Sequence, residues 1–490
     1  MSERTLVPVR GFHADANIRL RHLAEQGCWI WHPERSSTET AVLRFRLSLS
    51  VMEHVTPLIH ITADQRFQFR CDGRDVSFGP DRCDLDHWTV QSLRLNLSPG
   101  AHDLEALVWW IGQSPDERPT GCTPVEVTPP MAQFTFRGGF LLFAEGVDGE
   151  IFNTGKAAWV VEDLTDAVEM ERPRIPHYND VGPSFQIDLK GWNRREAVEP
   201  SVVMPPLEAS IWGIRRPGWA LYPAELPEQR RQRWTGGRIR SFREDWTDDV
   251  FVESDEKDVA ILQTFVEGWA SLTVPPRSAW TMLWDLGRYR CGYPDFQVEG
   301  GDGGEIEWSW AEALYEESSK EALSEDSVKG NRNDISGKVF AGIHDRWRSG
   351  AANSGRVPAL WWRAGRYIRL RVRTGDAALI LSGVGINLTG YPLDRAGSWS
   401  SSDGRWDDAM ALFDHSFRCA AHETWTDTPY YEQMCYVGDN IMHACANYAW
   451  YGDDRLSRRS IRLFEWSRRP SGLVAERYPS RSRQESATYS

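Results

Sequence analysis

Residues 41–51, AVLRFRLSLSV, alternate between two kinds of side chain at every second position. Leu43, Phe45 and Leu47 lie on one side of an extended strand with this sequence, and Arg44 lies on the other. A period of two is typical of a β-strand that covers a core with one face. Comparable runs, separated by turn residues such as Asp-Gly and Pro-Gly, occupy 59–63, 66–73, 93–110 and 134–146. The pattern predicts an antiparallel β-sandwich over residues 1–150.

The next segment is rich in proline, which removes a donor from a strand ladder and favours extended connections. The prolines are concentrated in 173–184, 204–210 and 215–229. We therefore predict an irregular connector over 151–230. Strand composition then returns between glycine pairs and polar turns, which predicts a second β-sandwich over 231–395. A polar stretch inside it, 316–337, is predicted to be a long exposed loop.

Near residue 400 the period of the apolar residues changes from two to that of a helix. After polar residues at 400–403 that suit an N-cap, one face of a first helix is marked by Trp406, Met410, Phe413 and Phe417. A second helix is predicted from Asp439, with an inward face made of Ile441, Cys445, Tyr448 and Ala449. A third helix is predicted over 453–466. The predicted fold class is multidomain β plus α, with the helices in residues 396–490.

Composition and charge exclude several classes of partner. The 490-residue chain has 56 basic and 70 acidic residues, a net charge of -14, which disfavours a phosphate backbone or an anionic membrane surface. No apolar stretch reaches the about 18 residues of a membrane span, and the first 20 residues lack the apolar core of a signal peptide. We expect a cytoplasmic protein whose partner is neither nucleic acid nor membrane.

The number and spacing of the cysteines and tryptophans indicate which cofactors and ligands the chain could bind. The eight cysteines are scattered and contain no C-x-x-C pair, so neither a zinc site nor a disulfide framework is predicted. No cofactor is expected, although the acidic cluster at 81–86, with His87 beside it, leaves binding of Ca²⁺ or of a sugar open, and turn formation explains it equally well. Most of the 24 tryptophans suit core packing. Carbohydrate is the ligand class that best uses the others.

Three carboxylates fall within one stretch of 13 residues, which begins in a polar, aromatic loop and ends at the start of the second predicted helix. Asp427, Glu432 and Asp439 have the chemistry to bracket a glycosidic bond. One would donate a proton to the leaving oxygen while the others orient water or stabilise an oxocarbenium ion. Tyr430, Tyr431 and Tyr436 would add an apolar wall that raises the pKa of a carboxyl group and so favours its protonated form. The alternative is structural: Asp427 stabilises a turn, Asp439 caps the helix and Glu432 is solvated.

The stretch Asp427-Thr-Pro-Tyr-Tyr-Glu432-Gln-Met-Cys-Tyr-Val-Gly438-Asp439 resembles a signature of bacterial α-L-rhamnosidases, glycoside hydrolase family 78. That signature is D-C-P-x-R-E…G-W-T-G-D, and the three acids are in register with it. Other segments that resemble this family are CAAHETWTD (419–427), SGLVAERYPS (471–480), KGNRNDISGKVFAGIHDRW (329–347), LWWRAGRYIRLRVRT (360–374) and GYPLDRAGSWSSSD (390–403). Residues 63–100 resemble the family's N-terminal jelly-roll module, so the resemblance covers most of residues 40–480.

The resemblance implies an inverting glycosidase that acts on terminal α-L-rhamnose in a glycan or glycoside. It implies jelly-roll and β-sandwich domains followed by an α/α six-hairpin barrel. By position in the motif, Glu432 would be the general acid, and Asp427 and Asp439 would hold the sugar hydroxyls. Tyr436 stands at the signature's tryptophan and, with Tyr430 beside it, would present an aromatic face to the sugar.

The chain departs from the signature at Thr428, Tyr431 and Val437, which replace its cysteine, arginine and threonine. Because Tyr431 replaces the arginine, a fixed cation beside the acids is expected to be missing. Six hairpins need twelve helices, whereas the residues after 400 hold roughly five of ordinary length. The barrel is therefore expected to be incomplete, as in a truncated chain, without the family's second carboxylate, the general base. The alternative function is a non-catalytic carbohydrate-binding β-sandwich protein.

Overall fold

The computed structural model describes residues 3–4, 27–112, 130–145, 147–173, 175, 179–193, 196–204, 219–247, 250–316, 327–350 and 354–481. Its strands are β1 (Glu3–Arg4), β2 (Trp29–Trp31), β3 (Ala41–Val51), β4 (Leu58–Asp64), β5 (Arg66–Cys71), β6 (Arg74–Gly79), β7 (Trp88–Arg94), β8 (Gly100–Trp110), β9 (Gly139–Glu145), β10 (Val160–Asp163), β11 (Val168–Glu171), β12 (Ser184–Asp188), β13 (Ala197–Val198), β14 (Ser201–Met204), β15 (Leu221–Pro223), β16 (Gln232–Trp234), β17 (Arg238–Arg243), β18 (Leu272–Val274), β19 (Ala279–Gly300), β20 (Glu305–Ala311), β21 (Tyr315–Glu316), β22 (Lys338–Val339), β23 (Ile343–Arg348), β24 (Ser354–Arg356), β25 (Arg363–Arg373) and β26 (Leu379–Leu388). Its helices are α1 (Gly149–Phe152), α2 (Leu189–Trp192), α3 (Glu256–Val266), α4 (Arg405–Ala420), α5 (Val437–Trp450) and α6 (Arg455–Trp466). The described chain is mostly β-sheet.

Two sheets form the first sandwich. One has the order β1-β7-β4-β9-β2-β14, with β15 added beside β7, and the other has the order β13-β10-β3-β8-β5-β6. Their facing residues share one core, in which Leu43, Phe45 and Leu47 of β3 pack with Phe140 of β9. The apolar face predicted for residues 41–51 is therefore confirmed.

The opposite face of β3 is buried in its first half, at Val42 and Arg44, and becomes exposed toward Ser48 and Ser50. Val42 belongs to the core that contains the tryptophans of the next domain. The Arg44 guanidinium donates to Glu162 Oε2 at 2.9 Å and to the Trp192 carbonyl at 3.2 Å. The alternation of β3 thus separates two cores, and the buried arginine charge between them is neutralised by an ion pair.

The second domain is one continuous sheet of 11 strands with the order β11-β12-β23-β20-β25-β19-β26-β16, to which β17, β18 and β24 are attached. Its centre is β19, which is 22 residues long. The first part of β19 pairs with β25 and the last part with β26, with register shifts after Asp285 and Asp295. The core of this domain contains Trp284, Trp308 and Trp310. Of the predicted loop 316–337, residues 317–326 lie outside the described part.

The connector predicted over 151–230 differs from the structure. The described residues of this segment contain six short strands, β10 to β15. Four of them are strands of the first sandwich: β10 and β13 belong to one of its sheets, and β14 and β15 belong to the other. The remaining two, β11 and β12, belong to the sheet of the second domain. Prolines interrupt the strands without preventing pairing, because most of these strands pair with a strand that is distant in sequence, and β11 pairs with the neighbouring β12. Residues 205–218, which include most of one proline-rich stretch, lie outside the described part.

The residues after 400 form the three predicted helices. Phe417 of α4, Trp450 of α5 and Leu456 of α6 meet in one apolar cluster, and the Arg405 N–H donates to Asp403 at the start of α4. No helix in the described ranges is both long and apolar enough to cross a membrane. That these helices begin an α/α barrel stays a prediction.

The inward face predicted for α5 is wrong. Ile441 and Tyr448 are 63% and 54% exposed, and Cys445 and Ala449 are exposed too. The helix instead buries Asn440, Asn447 and Trp450. The Asn447 amide donates to the Asp453 carbonyl at 2.9 Å and to the Ser457 hydroxyl at 3.1 Å. These polar contacts to α6 set the rotation of α5 about its axis.

Candidate active site

The candidate site lies on the loop between α4 and α5, which folds back on itself. The Asp427 N–H donates to the Met434 carbonyl at 2.9 Å. The Gln433 N–H donates to the Thr428 carbonyl, also at 2.9 Å. These hydrogen bonds close residues 427–434 into a compact turn that leads directly into α5.

Gln433 has a backbone φ of 57°, in the left-handed region. This conformation costs about 1–2 kcal/mol for a residue with a Cβ and persists where neighbours hold it. The Gln433 side chain is 1% exposed; it accepts from Trp361 Nε1 at 2.9 Å and donates to the Pro429 carbonyl at 3.0 Å. The Arg82 guanidinium donates to the Gln433 carbonyl. Because Arg82 belongs to the first sandwich and Trp361 to the second domain, both fix the backbone beside Glu432.

A buried ion pair anchors the start of the same loop. Arg66 of β5 donates to both oxygens of Glu423, at 2.5 and 3.0 Å. The Arg82 N–H donates to Glu423 Oε2 at 2.9 Å. Burial by itself raises the pKa of Glu423, but the charges of Arg66 and Arg82 lower it on balance. The carboxylate therefore stays ionised and ties the loop to the first sandwich.

Glu432 is 2% exposed, and a chain of hydrogen bonds orients its carboxyl group. The Tyr436 hydroxyl donates to Glu432 Oε1. Arg477 Nη1 in turn donates to the Tyr436 hydroxyl at 3.1 Å. Burial, followed by the neighbouring Glu432, raises the pKa of Tyr436, so the phenol keeps the proton that it donates.

Asp427 in the loop and Asp439 at the start of α5 are exposed carboxylates. The Thr428 hydroxyl donates to Asp427 Oδ2 at 3.2 Å, and Asp439 lies in the first turn of α5. Burial is the main cause that raises the pKa of Asp439, and the charge of Asp427 raises it further. The two carboxylates therefore repel each other at the surface of the loop.

Asp427, Tyr430 and Glu432 lie within the closed turn, Tyr436 immediately precedes α5 and Asp439 is in the first turn of that helix. The Tyr430 side chain points away from the acids. The Tyr430 side chain is 3% exposed and packs in the core of the second domain. Its hydroxyl donates to the Trp310 carbonyl at 3.1 Å. The burial of Tyr430 anchors the loop, and a contact of this side chain with sugar stays a prediction. The neighbouring Tyr431 is partly exposed instead.

Sequence reasoning missed Arg477 and Asp180. Arg477 lies in the loop after α6, whose backbone pairs with Tyr436, and it supplies a cation on the acid loop although Tyr431 replaces the signature arginine. The Asp180 N–H donates to the Tyr431 carbonyl at 2.8 Å. Burial raises the pKa of Asp180, and Arg477 is the first of three arginines that oppose this. In the sequence, Arg477 was indicated only by its position in SGLVAERYPS (471–480), one of the segments that resemble the family.

Within the described ranges, no group of three His, Cys, Asp or Glu side chains is placed to hold a metal ion. In the cluster at 81–86, Asp81 accepts from Gln91 Nε2 at 3.3 Å and Asp84 contacts His87 Nδ1 at 2.8 Å. These contacts account for both side chains as parts of the protein's own hydrogen-bond network. A role in binding Ca²⁺ stays a prediction.

The sandwich, the 11-stranded sheet and the helices that carry the acid loop together have the fold of glycoside hydrolase family 78 α-L-rhamnosidases. The family 78 rhamnosidase of Bacillus sp. GL1 matches 93% of this chain with a TM-score of 0.69 and 16% identity. The α-L-rhamnosidases of Dictyoglumus thermophilum and Aspergillus terreus each match 93% of it with a TM-score of 0.55, at 12% and 13% identity.

The chain spans 64% of the length of the Bacillus structure, and 46% and 47% of the other two. No family model matches the sequence, and no curated protein does. At these identities the comparison establishes the fold, which the residues 427–439 and the other quoted segments had indicated.

Proposed function

We propose that this chain is a glycoside hydrolase that removes terminal α-L-rhamnose by an inverting mechanism, with Glu432 as the general acid and without a cofactor. The observation that carries the proposal is the arrangement of the acid loop. A buried glutamate, oriented by Tyr436 and Arg477, lies on the same closed turn as the exposed Asp427. The fold shared with α-L-rhamnosidases supports rhamnose as the sugar.

In the proposed reaction, the protonated Glu432 carboxyl gives its proton to the glycosidic oxygen as the bond to the sugar breaks. The carboxylate that remains accepts the hydrogen bond from Tyr436. A hydrogen bond to a charged acceptor is stronger than a hydrogen bond to a neutral one. Arg477 keeps the Tyr436 hydroxyl directed at Glu432. The hydrogen bonds of Tyr436 and Arg477 thus stabilise Glu432 after it has given up its proton.

Asp427 and Asp439 are proposed to bind the sugar hydroxyls. Ionised carboxylates accept hydrogen bonds only, and both residues are exposed. Their mutual repulsion, which contributes to the raised pKa of Asp439, decreases when hydroxyl groups donate to them. Tyr436 is proposed to place its ring against the apolar face of the sugar.

An inverting reaction also needs a base that activates water, at a carboxyl separation of about 6.5–9.5 Å. We assign no described residue to that role, so the test must measure sugar binding as well as hydrolysis. Binding of L-rhamnose without hydrolysis would favour the alternative of a non-catalytic carbohydrate-binding protein.

The test is hydrolysis of phenyl α-L-rhamnoside by the 490-residue chain, accompanied by calorimetry with L-rhamnose. Glu432→Gln keeps the side-chain shape but removes the acidic proton, and we expect the rate to fall about 10²–10⁴-fold. Glu465→Gln is the matched control, since Glu465 of α6 forms a surface ion pair with Arg468, which follows the helix. An unchanged rate in Glu432→Gln, or an equal loss in Glu465→Gln, would contradict the proposal.

A further inference from the structure

A pair of thiols lies where α4 meets the second domain, apart from the acid loop. Cys291 is in β19 and is buried, and Cys419 is near the end of α4 and is partly exposed. The Cys291 thiol donates to the Cys419 carbonyl at 3.6 Å. Cys419 Sγ lies 3.9 Å from the Tyr289 carbonyl. The two cysteines therefore face each other across the contact between helix and sheet.

His415, one helical turn before Cys419, completes the cluster. His415 Nε2 lies 3.8 Å from Cys419 Sγ and 2.7 Å from the Tyr289 carbonyl. The carbonyl accepts only, so Nε2 carries a proton that it donates to the carbonyl, and the Cys419 sulfur lies beside the same ring nitrogen. The hydrogen bond with Cys419 is the first cause that raises the pKa of His415, and an imidazolium beside a thiol is an environment that produces a nucleophilic thiolate.

The charge balance of the cluster distinguishes the two sulfurs. The Cys291 side chain is the largest cause that lowers the pKa of Cys419; burial opposes it, and His415 and Arg230 lower it further. The C-terminal end of a helix disfavours an anion, but the imidazole and Cys291 are closer to the sulfur. Burial raises the pKa of Cys291, which keeps its proton. The Cys419 thiol is therefore suited to attack an oxidant, and the Cys291 thiol is suited to form a disulfide with the oxidised Cys419.

We propose that Cys291 and Cys419 form an oxidant-sensitive thiol pair, in which Cys419 reacts with peroxide and Cys291 then closes a disulfide between β19 and α4. Cys419 attacks one oxygen of hydrogen peroxide, the O–O bond breaks, and water leaves, which produces a sulfenic acid. The Cys291 sulfur attacks this sulfenic acid, the S–O bond breaks, and a second water leaves with the Cys291 proton. Two thiols lose two electrons and two protons, and one peroxide becomes two waters.

The disulfide would join the second domain to the helix that leads into the acid loop. Cys419 precedes Glu423, the residue held by Arg66, by one short turn of chain. The proposal does not depend on rhamnoside hydrolysis, since it concerns chemistry of the protein's own thiols.

The experiment exposes the reduced full chain to hydrogen peroxide, blocks the remaining thiols and maps peptides without reduction. We expect a linked peptide that contains Cys291 and Cys419. In Cys291→Ser the link is lost and a sulfenic-acid reagent labels Cys419. In Cys445→Ser, which removes an exposed thiol, the link forms as in the parent chain.

A second measurement needs no disulfide. Alkylation of Cys419 by iodoacetamide at pH 6, followed peptide by peptide, should be at least about tenfold slower in His415→Gln, since loss of the cation shifts the thiolate fraction by about one pKa unit or more. The proposal is overturned if peroxide oxidises the exposed Cys445 while Cys291 and Cys419 stay reduced and unlinked. It is also overturned if His415→Gln leaves the alkylation rate of Cys419 unchanged.

Discussion

Replacing Glu423 by glutamine removes the charge that neutralises two buried guanidinium groups. Glu423 accepts two hydrogen bonds from Arg66 and one from the Arg82 backbone N–H. Glutamine offers one acceptor oxygen in place of two, and its NH₂ group faces a donor. Removing one partner of a buried ion pair typically costs about 3–5 kcal/mol. We expect the free energy of unfolding of the β-sandwich and helical unit to decrease by about this amount.

The dependence on pH separates this cause from a general loss of packing. The folded-state pKa of Glu423 lies below its ordinary value, so its stabilisation is complete above the unfolded-state pKa and is lost as pH falls through the folded-state value. The parent chain should therefore lose its advantage over Glu423→Gln as the pH is lowered below about 4.5.

Urea unfolding of both chains, monitored by tryptophan fluorescence at several pH values, measures this difference. Glu465→Gln, at the surface, should show no measurable change at any pH. Hydrogen exchange of residues 427–434 should increase in Glu423→Gln if the ion pair holds the acid loop. Equal stability of Glu423→Gln and the parent chain at pH 7, or a difference that grows in acid, would refute the reasoning.

Three further substitutions address single contacts of the acid loop. Arg477→Met removes the donor to Tyr436 and should lower kcat for phenyl α-L-rhamnoside about tenfold with KM unchanged; steady-state kinetics that show only a raised KM would argue against it. Asp427→Asn removes the charge that repels Asp439, so the pKa of Asp439 in an NMR titration should decrease, whereas an unchanged pKa would place the two residues too far apart. Tyr430→Phe removes the donor to the Trp310 carbonyl and should cost about 1–3 kcal/mol in urea unfolding without changing KM, and a raised KM would return Tyr430 to the sugar site.

Local sequence patterns predicted where strands and helices lie better than they predicted which other elements these contact. The alternation in 41–51 identified a strand and its core face, because a period of two is a property of consecutive residues. The strands between 160 and 223 were missed since each is short and most of them pair with a strand that is distant in sequence. The face of α5 was predicted from its apolar residues, but Asn447 and its contacts with α6 fix the orientation.

The same distinction applies to the site. Asp427, Glu432 and Asp439 lie within one short segment, so their spacing and the family resemblance located them. Arg82, Trp361 and Arg477 come from three separate parts of the chain, and only tertiary packing brings them to the loop. Sequence spacing has no information about such contacts. The packing of Tyr430 in the core could not be predicted, because adjacent residues in a tight turn point in different directions and an aromatic side chain suits a core as well as a sugar.

The most direct test of Glu432 as the proton donor compares two substrates that differ in their need for an acid. Phenyl α-L-rhamnoside has a poor leaving group that requires protonation, whereas 2,4-dinitrophenyl α-L-rhamnoside has a good one that does not. We predict that Glu432→Gln lowers kcat/KM for the phenyl substrate about 10²–10⁴-fold and for the dinitrophenyl substrate much less. Equal losses on both substrates, or no hydrolysis of either by the parent chain, would contradict the assignment.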